Sequence, residues 1–302
     1  MVIKTMSDYC KEKFGTKVYR LSLSSGCSCP NRDGKLGVGG CTFCSEHGSG
    51  EFASRDQDIL IQLEEAKKKV AQKFPKSIQK EAQKYIAYFQ SFTSTYGNPK
   101  RLLPLFQKLM DQEEIVCLAI GTRPDCLEKE MLDGLERLNQ QKPVWIELGL
   151  QTIHEESAKR FHRGYDLSVF EKAYQELKKR KIEVIVHMIL GFPWESKQDI
   201  YASMDYLARL RPRLDGIKLH GLHLVRGTAL AKEYEAHPFP LWSLEEYGNV
   251  LMECLKRLPT ETIIHRFTGD GDKKTLIEPI WSMDKKRVLN YLNQRIKEEE
   301  RE

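Results

Sequence analysis

Residues 26–44 read GCSCPNRDGKLGVGGCTFC, from Gly26 to Cys44. Cys41 and Cys44 lie two residues apart and follow a glycine-rich loop that begins just after Cys29. The spacing Cys29-x11-Cys41-x2-Cys44 offers three thiolates on one loop, and Gly34, Gly37, Gly39 and Gly40 let the backbone bend around a shared object. The count of three is informative. A structural zinc site closes with four ligands, whereas three thiolates leave a cubane four-iron cluster with one iron open to a small molecule. Two other readings stay open on the residues alone: a zinc ribbon that uses His47, three residues after Cys44, as a fourth ligand, or thiols that are small buried hydrophobes.

Working outward, Lys17 to Leu23 reads as a strand that delivers the chain into this loop, with Val18, Leu21 and Leu23 apolar. Further strands are predicted at Tyr85–Phe89, Ile115–Ile120, Val144–Leu150, Ile182–Leu190 and Gly216–His220. Apolar residues at three- and four-residue spacing predict the helices between them. These run from Asp56 to near Pro75, then over Pro99–Met110, Leu127–Asn139, Asp166–Lys179, Lys197–Leu210 and Leu244–Leu258. Apolar strands joined by helices imply a parallel sheet with right-handed crossovers, so the class is α/β. Six βα units fall short of the eight that close a barrel, which predicts a partial (β/α)6 barrel with an open side able to admit a large substrate. A strand at Thr262–Phe267 and a helix at Lys285–Ile296 form a short C-terminal extension, and the glutamate-rich end after Lys297 is expected to fray. The expected organisation is an N-terminal segment (1–16), a core (17–258) and the extension (259–302).

The chain has 302 residues, 40% of them hydrophobic, enough for one large core. Its apolar runs are too short for a membrane span and residues 1–10 lack a signal-peptide core, so a cytoplasmic protein is expected. Eight cysteines, three at metal spacing, suit a reducing compartment without disulfides. A formal charge of +5 permits a polyanionic partner without requiring one. The basic runs are local: Lys67, Lys68, Lys69, Lys73, Lys76, Lys80 and Lys84, then Lys178 to Lys181, then Arg209, Arg211 and Arg213. They read either as solvated helix faces or as a nucleic-acid footprint. The sequence has neither a Walker-type phosphate loop nor a Gly-x-Ser-x-Gly elbow.

In parallel α/β folds ligands gather where strands end. Glu147, Gly149 and Gln151 alternate onto one face of the fourth strand, so a carboxylate and an amide are expected to line the interior together, Glu147 serving either chemistry or a structural ion pair. Lys218, His220 and His223 end the sixth strand, and His265, Arg266, Thr268 and Asp270 the next; all are substrate-side candidates.

The cysteine loop, with CPNRDG followed by GGCTFC, resembles that of radical S-adenosylmethionine (radical SAM) enzymes, and within them the YtqA/YhcC family near the Elongator catalytic-subunit-like branch. The strings Gly121-Thr122-Arg123-Pro124-Asp125 and Glu147-Leu148-Gly149-Leu150-Gln151 are also typical of it, and the resemblance runs from Lys17 to Pro279-Ile280-Trp281-Ser282. It implies a partial barrel of radical SAM type, a 4Fe-4S cluster held by Cys29, Cys41 and Cys44, and S-adenosylmethionine (SAM) with its adenine beside Phe43. Cys27 departs from the pattern by standing where an aromatic residue is expected; Cys29 is the first ligand by resemblance because Pro30 and Asn31 follow it. Gln90 and Ser91 replace the usual Gly-Gly-Glu-like segment that binds the methionine amino group. Glu147 and Gln151 join the cofactor set, Arg163 is placed against the SAM carboxylate, and Gly191 and Pro193 form the turn that contacts adenine. Glu147, His265 and Arg266 are the catalytic candidates.

The cluster would donate an electron into SAM and leave a 5′-deoxyadenosyl radical to abstract hydrogen. The resemblance further implies tRNA as substrate, with 5-carboxymethylaminomethyl(-2-thio)uridine at the wobble position converted to 5-aminomethyl(-2-thio)uridine. It also implies a reductant such as flavodoxin or ferredoxin, and a separate methyltransferase as a pathway partner. A radical SAM enzyme of small molecules, or a non-catalytic zinc-stabilised nucleic-acid-binding protein, are the alternatives.

Overall fold

The computed structural model describes residues 2–48, 53, 56, 58–74, 82–269, 271 and 273–301. Its strands are β1 (Val18–Leu23), β2 (Lys84–Phe89), β3 (Ile115–Thr122), β4 (Val144–Gln151), β5 (Glu183–Leu190), β6 (Gly216–Gly221), β7 (Leu224–Val225), β8 (Ile263–Arg266) and β9 (Leu276–Glu278). Seven form one sheet in the order β1-β2-β3-β4-β5-β6-β8, and every neighbouring pair is parallel. This is a partial barrel, and the strand predicted at Thr262–Phe267 extends its sheet beside β6. The short pair β7 and β9, antiparallel to each other, was not foreseen.

Helices follow in chain order: α1 (Met6–Phe14), α2 (Ile59–Val70), α3 (Pro99–Met110), α4 (Lys129–Asn139), α5 (Glu155–Arg160), α6 (Leu167–Lys179), α7 (Lys197–Arg209), α8 (Ala229–Ala236), α9 (Leu244–Arg257) and α10 (Lys285–Glu299). Local chemistry sets their starts. Ser196 with Asp199 and Ser243 with Glu246 make capping boxes for α7 and α9, and Asn98 followed by Pro99 opens α3. For α2 the cap is Asp58, which accepts from the amides of Leu60 and Ile61, so the helix begins later than the Asp56 start expected. Helix α10 continues to Glu299, correcting the expected fraying after Lys297: Glu299 pairs with Lys256 of α9 at 2.9 Å. Lys76, Lys80 and Asp270 lie outside the described residues.

The strands are buried on both faces, which explains their near-continuous apolar sequences. Helices cover the outer face, with Phe106, Leu135, Phe170, Met204 and Leu251 in the core. Inside, α1 closes the N-terminal end of the barrel by setting Cys10, Met6, Tyr9 and Phe14 against Tyr88, Cys117 and Trp145. With that end plugged, the interior cavity is lined by residues where the strands end and, beside β1, by Tyr19, Ala66 and Val70. No helix among the described residues is long and apolar enough to cross a membrane.

Candidate active site

A cavity of about 1020 Å³ occupies the barrel mouth and interior, and Cys29, Cys41 and Cys44 all line it. The loop that carries them is braced from within. The carbonyl of Cys29 accepts from the amides of Arg32 and Asp33, and that of Asn31 from Gly40 at 2.8 Å. Gly40 has a positive φ, and a Cβ there would fall 2.8 Å from the Arg32 guanidinium. That guanidinium donates to the Cys44 carbonyl at 2.9 Å, tying the two ends of the loop together. The Asn31 side chain donates to the His162 carbonyl and approaches the Cys41 sulfur at 3.7 Å. Cys27 does not line the cavity; its sulfur accepts from Arg101 at 3.3 Å. His47 is half exposed beside Glu46 and also lies outside the lining.

Phe43 seats the cysteine segment on an aromatic stack: its ring lies 5.3 Å from Phe161 and 6.0 Å from Phe192, which stack on each other at 4.9 Å. Gly191 and Pro193 flank Phe192 but do not themselves line the cavity. A Cβ at Gly191 would meet Trp242 at 3.1 Å. Gln90 lines the cavity, whereas Ser91 is buried behind it with its carbonyl accepting from the Ser94 hydroxyl.

Glu147, Gly149 and Gln151 do face the interior together, as the alternation required. Gln151 holds φ +65, a region that costs a non-glycine residue about 1–3 kcal/mol, and a Cβ at Gly149 would stand 2.6 Å from its amide nitrogen. Gly149 is therefore what lets the Gln151 side chain lie where it does. Arg163 also reaches the lining, but its guanidinium is fully buried and occupied by the carbonyls of Leu150, Thr152 and Tyr165 and by Glu155. It secures the end of β4.

Deeper lies a charge network centred on Glu147, which is 1% exposed. Its carboxylate accepts from Lys218 and, at 2.9 Å, from His187 Nε2, and lies 3.5 Å from Arg20. Lys218 also donates to the Tyr88 hydroxyl at 2.8 Å. Burial pushes the Glu147 carboxyl upward, but the charges of Lys218 and Arg20 and the His187 hydrogen bond overcome it and hold the group well below its ordinary range. Burial and the Lys218 charge bring His187 down to about 4 against the pull of Glu147. His187 is thus neutral at pH 7 and donates through Nε2. The His220 ring lies 5.4 Å from His187, and its Nε2 is buried without a hydrogen-bond partner. Burial and the Arg266 charge keep His220 neutral as well.

Arg266 lines the cavity with His220 and His223. His265 does not: its ring turns toward the plugged end, where Nδ1 pairs with Arg20 at 2.8 Å and the ring packs edge-on against Trp145. Thr268 is buried and outside the lining. The sequence reading missed Arg20, Tyr88, Tyr165 and His187 and quoted Arg123 without a role, and all five line the cavity. Only His187 carried a usable signal, a polar residue in phase with Ile185 and Ile189 inside an apolar strand.

Residues 29–207 match the Radical SAM superfamily, and residues 214–298 the Radical_SAM C-terminal domain. The chain belongs to the radical SAM superfamily. It is 38% identical to the uncharacterised protein YtqA of Bacillus subtilis over 97% of this chain and 88% of that protein. Protein YhcC of Escherichia coli K12 is 37% identical over 89% and 84%. Among solved structures, archaeal Methanocaldococcus infernus Elp3 with an N-terminal deletion superposes with a TM-score of 0.66 at 16% identity. That match covers 92% of this chain and spans 63% of the Elp3 chain, and it shows the shared fold.

Radical SAM proteins use a 4Fe-4S cluster and SAM and take an electron from a reductant. The donor set here fits: three thiols line one wall, and burial together with Cys44 and Cys29 pushes the Cys41 thiol up to about 12, so gathering them favours a cationic group to share.

Proposed function

We propose that this radical SAM enzyme acts on tRNA, converting 5-carboxymethylaminomethyl(-2-thio)uridine at the wobble position to 5-aminomethyl(-2-thio)uridine, which a separate methyltransferase then completes. The observation that carries the reading is the position of Arg266 and the unpartnered His220 Nε2 in the same cavity as the three cysteines. A guanidinium beside a neutral imidazole suits a substrate carboxylate. The family resemblance and the Elp3-like fold support tRNA as its carrier.

Cys29, Cys41 and Cys44 hold the cluster in this reading. Phe43 receives the adenine, with the turn through Gly191 and Pro193 setting Phe192 behind it, and Gln90, Gln151 and backbone groups near Ser91 receive the amino-acid end of SAM. Cluster and SAM when bound supply hydrogen abstraction from an unactivated carbon. The chain's own part is positioning. Arg266 grips the substrate carboxylate and His220 donates to it, while Glu147, fixed by Lys218, His187 and Arg20, keeps the floor rigid. The plug of α1 and the aromatic wall exclude water from below and from one side. The carbon between amine and carboxylate is then the hydrogen donor, since a radical there is stabilised by both neighbours; loss of one further electron, taken up by the cluster or its redox partner, and of the N–H proton to solvent would give an imine that water splits into the amine and glyoxylate.

Anaerobic incubation with SAM, a reductant and total tRNA, followed by nucleoside mass analysis, tests this. Loss of the carboxymethylaminomethyl nucleoside with gain of the aminomethyl one is expected. Unchanged nucleosides, together with unchanged tRNA from a deletion strain, would remove the tRNA assignment. Turnover of a free modified nucleoside as fast as of tRNA would favour a small-molecule enzyme.

A further inference from the structure

The sequence offered its basic runs without ranking them, and the structure ranks them. Lys67 is held by Glu64 and Glu114, Lys178 by Asp215 at 2.6 Å, Lys179 by Glu176 at 2.8 Å, and Arg213 by Glu261 at 2.9 Å. Arg180 is shared among Glu176, Asp133 and Glu136. Lys67, Lys178, Lys179, Arg180 and Arg213 are thus engaged by carboxylates, and none of them lines the cavity. Two members of the first run line the cavity on the β1 side, and three C-terminal lysines join them. Lys69 at the end of α2, Lys73 just beyond it, and Lys273 and Lys274 in the segment between β8 and β9 line the same cavity, as does Lys285 at the start of α10. All five are exposed.

The charge balance is lopsided. Among the described residues the lining contains these lysines and Arg20, Arg32, Arg123, Arg163 and Arg266, but a single carboxylate, Glu147, which is committed deep inside. Glu147 lies deep against Lys218 and Arg20, so the balance of charged groups among the described lining residues is positive, and a cleft concentrates such a field. One small anion needs two or three such groups. Five exposed lysines from three separate segments suit a partner with repeated negative charges that stays outside while one unit enters.

We propose that the rim formed by Lys69, Lys73 and Lys273, flanked by Lys274 and Lys285, is the surface on which the phosphodiester backbone of an RNA lies while one nucleotide enters the cavity, and that the Lys178–Lys181 run takes no part. This rests on the tRNA reading above. Phosphate contacts made by flexible lysines position a nucleic acid without reading its sequence, so the rim governs affinity and its salt dependence.

The test is binding of labelled tRNA to the anaerobically reconstituted holoprotein across a salt series. Lys69→Glu/Lys73→Glu/Lys273→Glu should lower affinity at least tenfold at low salt and flatten the log–log salt slope by about 2, at roughly 0.7 per lost phosphate contact. Lys179→Glu/Lys181→Glu, at and just beyond the C-terminal end of α6, should leave both unchanged. Iron content and the melting profile of the triple variant should match wild type, since these side chains are exposed, and a milder Lys→Gln triple should give an intermediate slope. Equal slopes for the two sets, or the larger loss in the α6 variant, overturns the proposal. Competition by polyglutamate as strong as by RNA of equal charge also overturns it and points to an acidic polypeptide. A normal salt slope with no change in tRNA nucleosides would instead defeat the proposed reaction and leave the rim standing.

Discussion

The two walls of the cavity are built by opposite strategies. On one side, Cys29, Cys41, Cys44 and Phe43 come from a single stretch of chain that is folded back on itself by Arg32, Asn31 and Gly40. On the other, Glu147, His187, Lys218, His220 and Arg266 come from four strands and meet only because the parallel register aligns them: Gly149 pairs with His187, His187 with Lys218, and Lys218 with Arg266. The first wall is contiguous in sequence and uses residues whose chemistry is narrow. The second is dispersed and uses residues that are elsewhere commonly structural. The cofactor side therefore announces itself and the substrate side does not.

The sharpest break between the walls is a cysteine series. Cys29→Ala, Cys41→Ala or Cys44→Ala should each abolish the cluster, read as loss of about four irons per chain and of the brown absorption. Cys27→Ala should retain both, because that thiol faces Arg101 and not the cavity. If Cys27→Ala loses the cluster while Cys29→Ala keeps it, the assignment of the first wall is wrong.

Next in size is removal of the hub of the second wall. Glu147→Ala leaves Lys218 buried and Arg20 half-buried without their counter-charge and should cost about 3–5 kcal/mol, measured by denaturant unfolding. The iron content of whatever folded protein remains should be normal. A cost below 1 kcal/mol would mean the network is not the rigid floor described. The same network predicts a pH dependence. Folded Glu147 and His187 both titrate below their unfolded values, so each contributes stability that is complete above the unfolded pKa and lost as pH falls through the folded one. For His187 that window runs from about 6.5 down to about 4. His187→Asn should flatten the stability curve between those values; an unchanged curve would show that His187 is not held neutral.

Smaller again, Arg266→Ala should weaken productive tRNA turnover by about 10- to 100-fold, the worth of a hydrogen bond between charged groups, with SAM binding unchanged. His265→Ala should not reproduce that pattern, since the His265 ring points toward Trp145. The smallest effect is at Gly149→Ala. The new Cβ collides with the mobile end of Gln151, so the melting temperature should move by only a few degrees while SAM affinity falls. Unchanged SAM affinity would remove Gln151 from the cofactor set.

The same contrast explains how much could be read from residues alone. The six βα units and the alternation of Glu147, Gly149 and Gln151 were legible because strands buried on both faces and helices with apolar stripes leave periodic traces. Helix α1 was not read, because its apolar residues matter only after the barrel end exists for Met6 and Tyr9 to plug. Arg163 looked like a ligand for a carboxylate and proves to be spent on carbonyls of its own turn, a fact that depends on φ +65 at Gln151 and on the path of the chain through Gly164. His220 and His265 were equivalent as letters. The sheet places one over the cavity and the other beneath it.

The central claim is that the two walls act on one carbon, the cofactor side removing a hydrogen that the substrate side presents. The direct measurement is anaerobic turnover of tRNA bearing deuterium on the carbon between the amine and the carboxylate of the wobble side chain. The account predicts deuterium in the 5′-deoxyadenosine released, in step with formation of the aminomethyl nucleoside. Deuterium-free 5′-deoxyadenosine accompanying normal product formation would contradict it.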